Sequence, residues 1–407
     1  MRKNIIKNVV MLYGLSIAKI IFPLLTLPYL TRVLSVDCYG QVAYVKTLMQ
    51  YIQIFVDFGF ILSGTKEIAE NREDRTKLAC SMGDILIAKI ALGVLGLLVT
   101  IVLILSMPLL RSFPVYTLLS YLPVFLSIFL FEHYFRGIER MEFVTTRYVV
   151  ATGLSTALTF VLVHGDSDIL WIPALNTISS LLAIILVVIE LKKDDVKLRM
   201  SSVASVVGKI TSSSVYFISN MATTAFGALN TVIIGACMSA SDVAYWSVCM
   251  QIIGGIQTFY NPITNGIYPD MVRTKDAGLI KRVFRLVMPV VALGSVFTYC
   301  VAPHALRIVF GAQYRDAYPV LRVLISVLVF SFPGMLFGWP TLGAIGKSKE
   351  VTFTTVCTAF FQVIGLLLLF VFRSFSLFSV AVLRGMTEMV LMATRLGFCI
   401  KYRGEFK

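Results

Sequence analysis

Lys19 stands about midway along an apolar run, Asn8 to Ser35. A run of roughly 20 apolar residues is enough to cross a bilayer. A lysine at the centre of such a helix costs on the order of 2.5–3.5 kcal/mol on insertion scales, so it faces a cavity or a partner. Ser16, Lys19, Pro23 and Thr26 follow at steps of 3, 4 and 3, which puts them on one helix face. Pro23 offers no amide to the carbonyl of Lys19, and Pro28 offers none to that of Leu24. One stripe therefore carries an amine, a freed carbonyl and two hydroxyls. This is chemistry for holding an anion; lysine binds phosphate as a point charge.

Further polar stripes follow. Lys46, Gln50, Gln53 and Asp57 step by 4, 3 and 4 and share a face over about 16 Å of helix rise. Lys89, Gly93, Gly96 and Thr100 step in the same way. Ser213, Tyr216, Asn220, Thr223 and Asn230 line a third face, and Ser247, Gln251, Gly254, Thr258, Asn261 and Asn265 a fourth. Stripes of this kind are unfavourable against lipid and imply a hydrated central cavity. The plainer reading is helix-to-helix glue, with Gly93 and Gly96 serving close packing. Lys46, near the outer end, and Lys89, near the inner end, could also snorkel to the interfaces. The cavity reading names Lys19, Lys46, Lys89, Gln50, Gln53, Asn220, Gln251 and Asn261 as substrate-binding residues. Asp57 is the candidate for ion coupling, or else the salt-bridge partner of a helix-end lysine or of Lys19. Glu132 closes a span and reads as interfacial, and Arg384 with Glu388 reads as a self-neutralised i,i+4 pair. Deep lysines belong to the first half and amides to the second. Such walls suit an anionic headgroup that carries a polar, uncharged tail.

The elements that must position these residues are membrane helices. Of 407 residues 57% are hydrophobic and 14% charged, against about 25% charged in soluble proteins; mean hydropathy is +0.85. The expected fold is an all-α polytopic membrane protein of about twelve spans. They lie near 9–34, 41–63, 83–106, 115–135, 146–164, 169–190, 212–238, 243–266, 284–302, 319–343, 351–372 and 375–397. Alternate loops differ in charge. One side holds Lys7, Lys66, Arg72, Arg75, Arg136, Arg140, Lys192, Lys193, Lys197, Arg273, Lys281 and Lys347 among others; the other holds only Arg32, Arg111, Arg307, Arg315 and Arg373. By the positive-inside rule both termini are cytoplasmic. The basic start followed by a long apolar run reads as an uncleaved signal anchor. The net charge of +14 is thus loop charge and excludes nucleic acid as a partner. The scattered cysteines and three histidines support neither disulfides nor a metal site.

VAYVKTLMQYI (42–52) aligns without gaps to VAYWSVCMQII (243–253), six identities in eleven where chance gives about one. The offset of 201 places Asn220 opposite Lys19. The chain then reads as a six-helix lobe at 1–190, a cytoplasmic connector at 191–211 and a six-helix lobe at 212–407. Six spans per half make a parallel repeat, a transporter plan with its site between the halves.

Four stretches resemble the polysaccharide-transporter family of the multidrug/oligosaccharidyl-lipid/polysaccharide superfamily, the Wzx-type flippases. They are FPLLTLPYLTRVLSVDCYG (22–40), FRGIERM (135–141), DVAYWSVCMQI with NPITNGIYPDM (242–252 and 261–271) and FGAQYRDAYPVLRVL (310–324). Cys38 departs from the pattern, which more usually has a polar or acidic residue there. The resemblance implies two six-helix lobes of alternating access and a cavity lined by cations, here Lys19, Lys46 and Lys89. The implied substrate is an undecaprenyl-pyrophosphate-linked oligosaccharide crossing the bacterial cytoplasmic membrane for O-antigen or capsule synthesis. Implied partners are a polysaccharide polymerase and a chain-length regulator; no cofactor is implied. The rivals are a cation-coupled multidrug exporter of the same superfamily, which would favour acidic and aromatic cavity residues, and a membrane glycan polymerase or ligase. The latter needs catalytic groups on a sizeable outer loop, and the outer loops here are short. No Walker A, HExxH or GxSxG pattern occurs.

Overall fold

The computed structural model describes residues 2–196 and 198–406, and their side chains except at 2–6, 9, 219 and 222–226. Thr223, on the seventh-span stripe, and the loop residue Lys197 fall outside what is described. The chain runs through α1 (Arg2–Val33), α2 (Val36–Asp57), α3 (Phe60–Glu70), α4 (Arg75–Ser106), the single turn α5 (Pro108–Arg111), α6 (Pro114–Leu126), α7 (Glu132–Gly137), α8 (Met141–Leu162) and α9 (Trp171–Lys193). It continues through α10 (Val203–Cys237), α11 (Ala240–Gln257), α12 (Tyr260–Thr274), α13 (Ala277–Ala305), α14 (Tyr318–Leu336), α15 (Ser348–Val371) and α16 (Leu377–Lys401). Each of the twelve expected spans falls on helix. Among the described residues nine stretches are long and apolar enough to cross a membrane, and α10 adds two shorter apolar pieces, Val203–Ile218 and Gly227–Cys237. This is an all-α, multi-pass membrane protein.

Local chemistry sets the helix starts. Ser35, Asp74, Ser202, Asp276 and Ser376 each stand before a helix and accept a hydrogen bond from an amide of its first turn. Such caps contribute about 1 kcal/mol each. The amide of Lys77 and then that of Thr76 hold the Asp74 carboxyl below its ordinary range. Apolar surface that a soluble protein would bury stays outward: Leu286, Val290, Leu293 and Phe297 follow at helical spacing on α13 and are all more than 60% exposed. That is a lipid face.

Two compact units form, residues 1–240 and 241–407. The sequence repeat places its boundary at 191–211; packing places it after α10, because α10 lies along α2, α3 and α4. Asp84 on α4 accepts the amide of Ser201 at 2.8 Å and the hydroxyl of Ser205 at 2.5 Å. Glu67 pairs with Lys209, and Ser63 bonds Ser213 at 2.7 Å. Phe58 stacks on Phe217 at 4.4 Å. In the same unit α1 and α8 run parallel and in register: Thr145 bonds the carbonyl of Met11, and Tyr29 bonds that of Val163, each pair 134 residues apart.

In the second unit a parallel pair recurs. Tyr245, Cys249 and Tyr260 donate to the carbonyls of Gln313, Ala317 and Leu328, each 68 residues on. Arg395 on α16 joins α14 and α15, donating to the carbonyl of Gly334 at 2.7 Å and to the hydroxyl of Thr355 at 3.0 Å.

Candidate functional site

The second span is broken where its polar stripe ends. Asp57 is the last residue of α2, and Phe58 (φ 42°) and Gly59 (φ 78°) turn through the left-handed region before α3 begins. Residues with side chains rarely adopt that region. The turn aims Asp57 at α4. Its Oδ1 meets Lys89 Nζ at 2.7 Å, with the lysine 7% and the carboxylate 20% exposed. Gln53, one turn earlier, donates to Asp57 Oδ2 at 2.8 Å and to Ser127 Oγ at 2.9 Å. Gln53, Asp57 and Lys89 therefore form one cluster, closed by Ser127, which sequence reasoning had not picked. The partner of Asp57 is Lys89, not Lys19.

Lys46 and Gln50, earlier on the same stripe, are exposed. Lys19 is exposed on α1, with its ammonium 5.6 Å from the centroid of the Tyr148 ring. Helical side chains lean toward the N-terminus, which brings Lys19 down alongside α8. Asn220 is half-buried on α10. In the second unit Gln251 and Asn261 are both exposed, on either side of an interruption at Thr258–Phe259 between α11 and α12. The repeat offset of 201 maps Phe58 onto Phe259, so both halves interrupt the same helix within one residue of the same place. Discontinuous helices of this kind build transporter sites.

The fourth span breaks as well. After Ser127–Leu130, Phe131 takes φ 44° and α7 starts at Glu132. Arg147 of α8, 4% exposed, donates to the freed carbonyl of Leu130 at 2.8 Å. Glu132 bonds Arg136 and also feels the charges of Lys19 and Arg147. The sequence carried no turn signal at Phe131, which is why this cluster went unread. Arg384 and Glu388 pair as expected, at 2.7 Å and both buried. A cavity of about 330 Å³ opens between α3 and α10, lined among others by Ser63, Lys66, Glu67, Lys209 and Tyr216. Its Lys209 is already paired with Glu67.

Residues 5–275, two thirds of the chain, match the family described as "Polysaccharide biosynthesis protein". The chain belongs to that family. Within curated proteins it is 25% identical over 334 residues to a "Putative O-antigen transporter" of Escherichia coli (strain K12), covering 78% of each chain. A "Putative O-antigen transporter" of Shigella dysenteriae is 30% identical over 169 residues, 40% of this chain and 41% of that one. The fold is that of a solved multidrug resistance MATE family transporter of the MOP superfamily, in an inward-facing conformation. The TM-score is 0.69, with 97% of this chain and 98% of that one covered. Identity there is 16%, so the likeness concerns the fold. In this polysaccharide biosynthesis family member the charged residues Asp57, Lys89, Glu132 and Arg147 gather at broken helices.

Proposed function

We propose that this protein is a flippase. It carries an undecaprenyl-pyrophosphate-linked oligosaccharide repeat unit from the cytoplasmic to the outer face of the bacterial cytoplasmic membrane by alternating access, for O-antigen, capsule or related polysaccharide synthesis. It is a transporter rather than an enzyme. The observation that carries the reading is Lys19: an exposed cation about midway along a membrane helix, on a polar stripe, in a member of a polysaccharide biosynthesis family. A pyrophosphate needs positive charge where water is scarce, because attraction strengthens as the effective dielectric falls. Lys46 and Gln50 extend the polar surface along α2, and Asn220, Gln251 and Asn261 supply amides for sugar hydroxyls. Asp57, held by Lys89, is the candidate for ion coupling. Both termini lie in the cytoplasm, in line with the loop charges, and a polymerase and a chain-length regulator act on the product.

The test is surface glycan in a strain deleted for its flippase. The wild-type chain restores it, Lys19→Arg retains most of the activity and Lys19→Ala loses it at equal membrane level. Full activity of Lys19→Ala removes the headgroup role. A glycan-independent loss of drug tolerance on deletion would favour the exporter that shares this fold.

A further inference from the structure

The break in the fourth span gathers more positive charge than its one carboxylate can neutralise. Lys19, Arg136 and Arg147 all act on Glu132. Arg147 is 4% exposed, donates to the carbonyl of Leu130 at 2.8 Å and lies over the ring of Phe143. Lys19 lies over Tyr148. Among the described residues no carboxylate forms an ion pair with either; Glu132 pairs with Arg136 alone. The cluster thus holds two surplus positive charges at the inner end of the fourth span, where its members are only partly exposed and unbalanced charge is costly. The carboxylate present also fits its partner poorly. Nε of Arg136, at 2.9 Å, and Nη2 both converge on the single oxygen Oε1. A guanidinium fork is best met by two oxygens side by side, as phosphate presents them.

We propose that Glu132 is a tethered stand-in for a diphosphate. It occupies the Arg136 fork while the site is empty. An entering diphosphate displaces it, takes the fork through two oxygens and balances Lys19 and Arg147 at the same time. Arg136 becomes a headgroup contact; Arg147 is a positioning residue that keeps the broken span open at Leu130. Glu132 sets the strength of binding: weak enough for release, because a carboxylate always waits to retake the fork. This rests on the flippase reading for its natural ligand, a lipid diphosphate, but the binding itself is measured without transport.

The experiment titrates farnesyl diphosphate onto the purified full-length protein in detergent by calorimetry, with farnesol as the control for the apolar tail. Glu132→Gln removes the competitor and is expected to bind about tenfold tighter than wild type. Arg136→Gln is expected to bind at least tenfold more weakly, and Arg136→Lys, which keeps charge but not the fork, to fall between. Farnesol binding is the same in all. Unchanged or weaker binding by a Glu132→Gln protein that melts like wild type overturns the inference; so does undiminished binding by Arg136→Gln, should Glu132→Gln not fold. If the wild-type chain fails to restore surface glycan, the flippase reading falls while these affinities still decide the role of Glu132. If glycan is restored and Glu132→Gln binds as wild type, only the stand-in falls.

Discussion

At the scale of single residues, Asp57 and Lys89 form a largely buried ion pair whose loss is to be read first in stability. Removing one partner of such a pair leaves the other uncompensated and costs about 3–5 kcal/mol, whereas replacing both by apolar groups is often close to neutral. Lys89→Met is therefore expected to lower the melting temperature strongly, and Lys89→Met combined with Asp57→Leu to recover most of it. If Asp57 couples an ion, the stable double variant still fails to restore surface glycan. Wild-type glycan from the double variant, across a range of pH, takes Asp57 out of any coupling role. The sequence put Asp57 and Lys89 on separate stripes of neighbouring spans. Periodicity assigns a residue to a face, but the relative height of two helices decides which charges meet, and periodicity carries no such information.

Individual elements add what single residues cannot. The spans were legible because twenty apolar residues admit few structures in lipid. The breaks were not. Phe58 and Phe131 take positive φ without being glycine, asparagine or aspartate, so neither announces itself. Gly59 is the one local hint, and its requirement is physical on two counts. It has φ 78°, and a Cβ there would stand 2.6 Å from Cβ of Tyr216 on α10. Gly59→Ala is expected to strain the turn and push α10 off α3, lowering membrane level and melting temperature. A Cβ at Gly254, near the matching interruption in the second half, would meet nothing within 4 Å beyond its own helix. Gly254→Ala is expected to behave as wild type in both measurements. Equal behaviour of the two variants would mean the first break tolerates a different path.

For the whole molecule, topology is the property that function cannot do without. Loop charges put the turn at Asp166–Asp168 outside and the end of α9 inside. In this structure Asp166 accepts the amide of Ser35 at 2.8 Å, so the two loops of that end meet. Cysteines placed at Ser167 and at Lys193 are expected to react with an impermeant maleimide from opposite sides of the membrane. Labelling from one side would discard the twelve-span path. The architecture was readable in the sequence from hydropathy and from the repeat at 42–52 and 243–253. The attachment of α10 to the first unit was not, since it depends on Asp84, Glu67 and Ser63 finding partners more than a hundred residues away.

The pairing of α1 with α8 also fixes an order of events during synthesis. Tyr148 emerges 129 residues after Lys19, which at roughly 5–20 residues per second is an interval of about 6–26 s. Throughout it α1 crosses the bilayer with its lysine bare, at on the order of 2.5–3.5 kcal/mol. Ile17, Ile20, Ile21, Leu24 and Leu25, exposed on the lipid side of α1, together offset about 1.5–3 kcal/mol of that. The apolar residues that α8 later covers add to this before α8 arrives, so the translocon can release the helix sideways with its lysine unpaired. Its apolar side stays about half exposed in the finished fold, and it is what lets the nascent chain hold a charge in oil until its neighbour arrives.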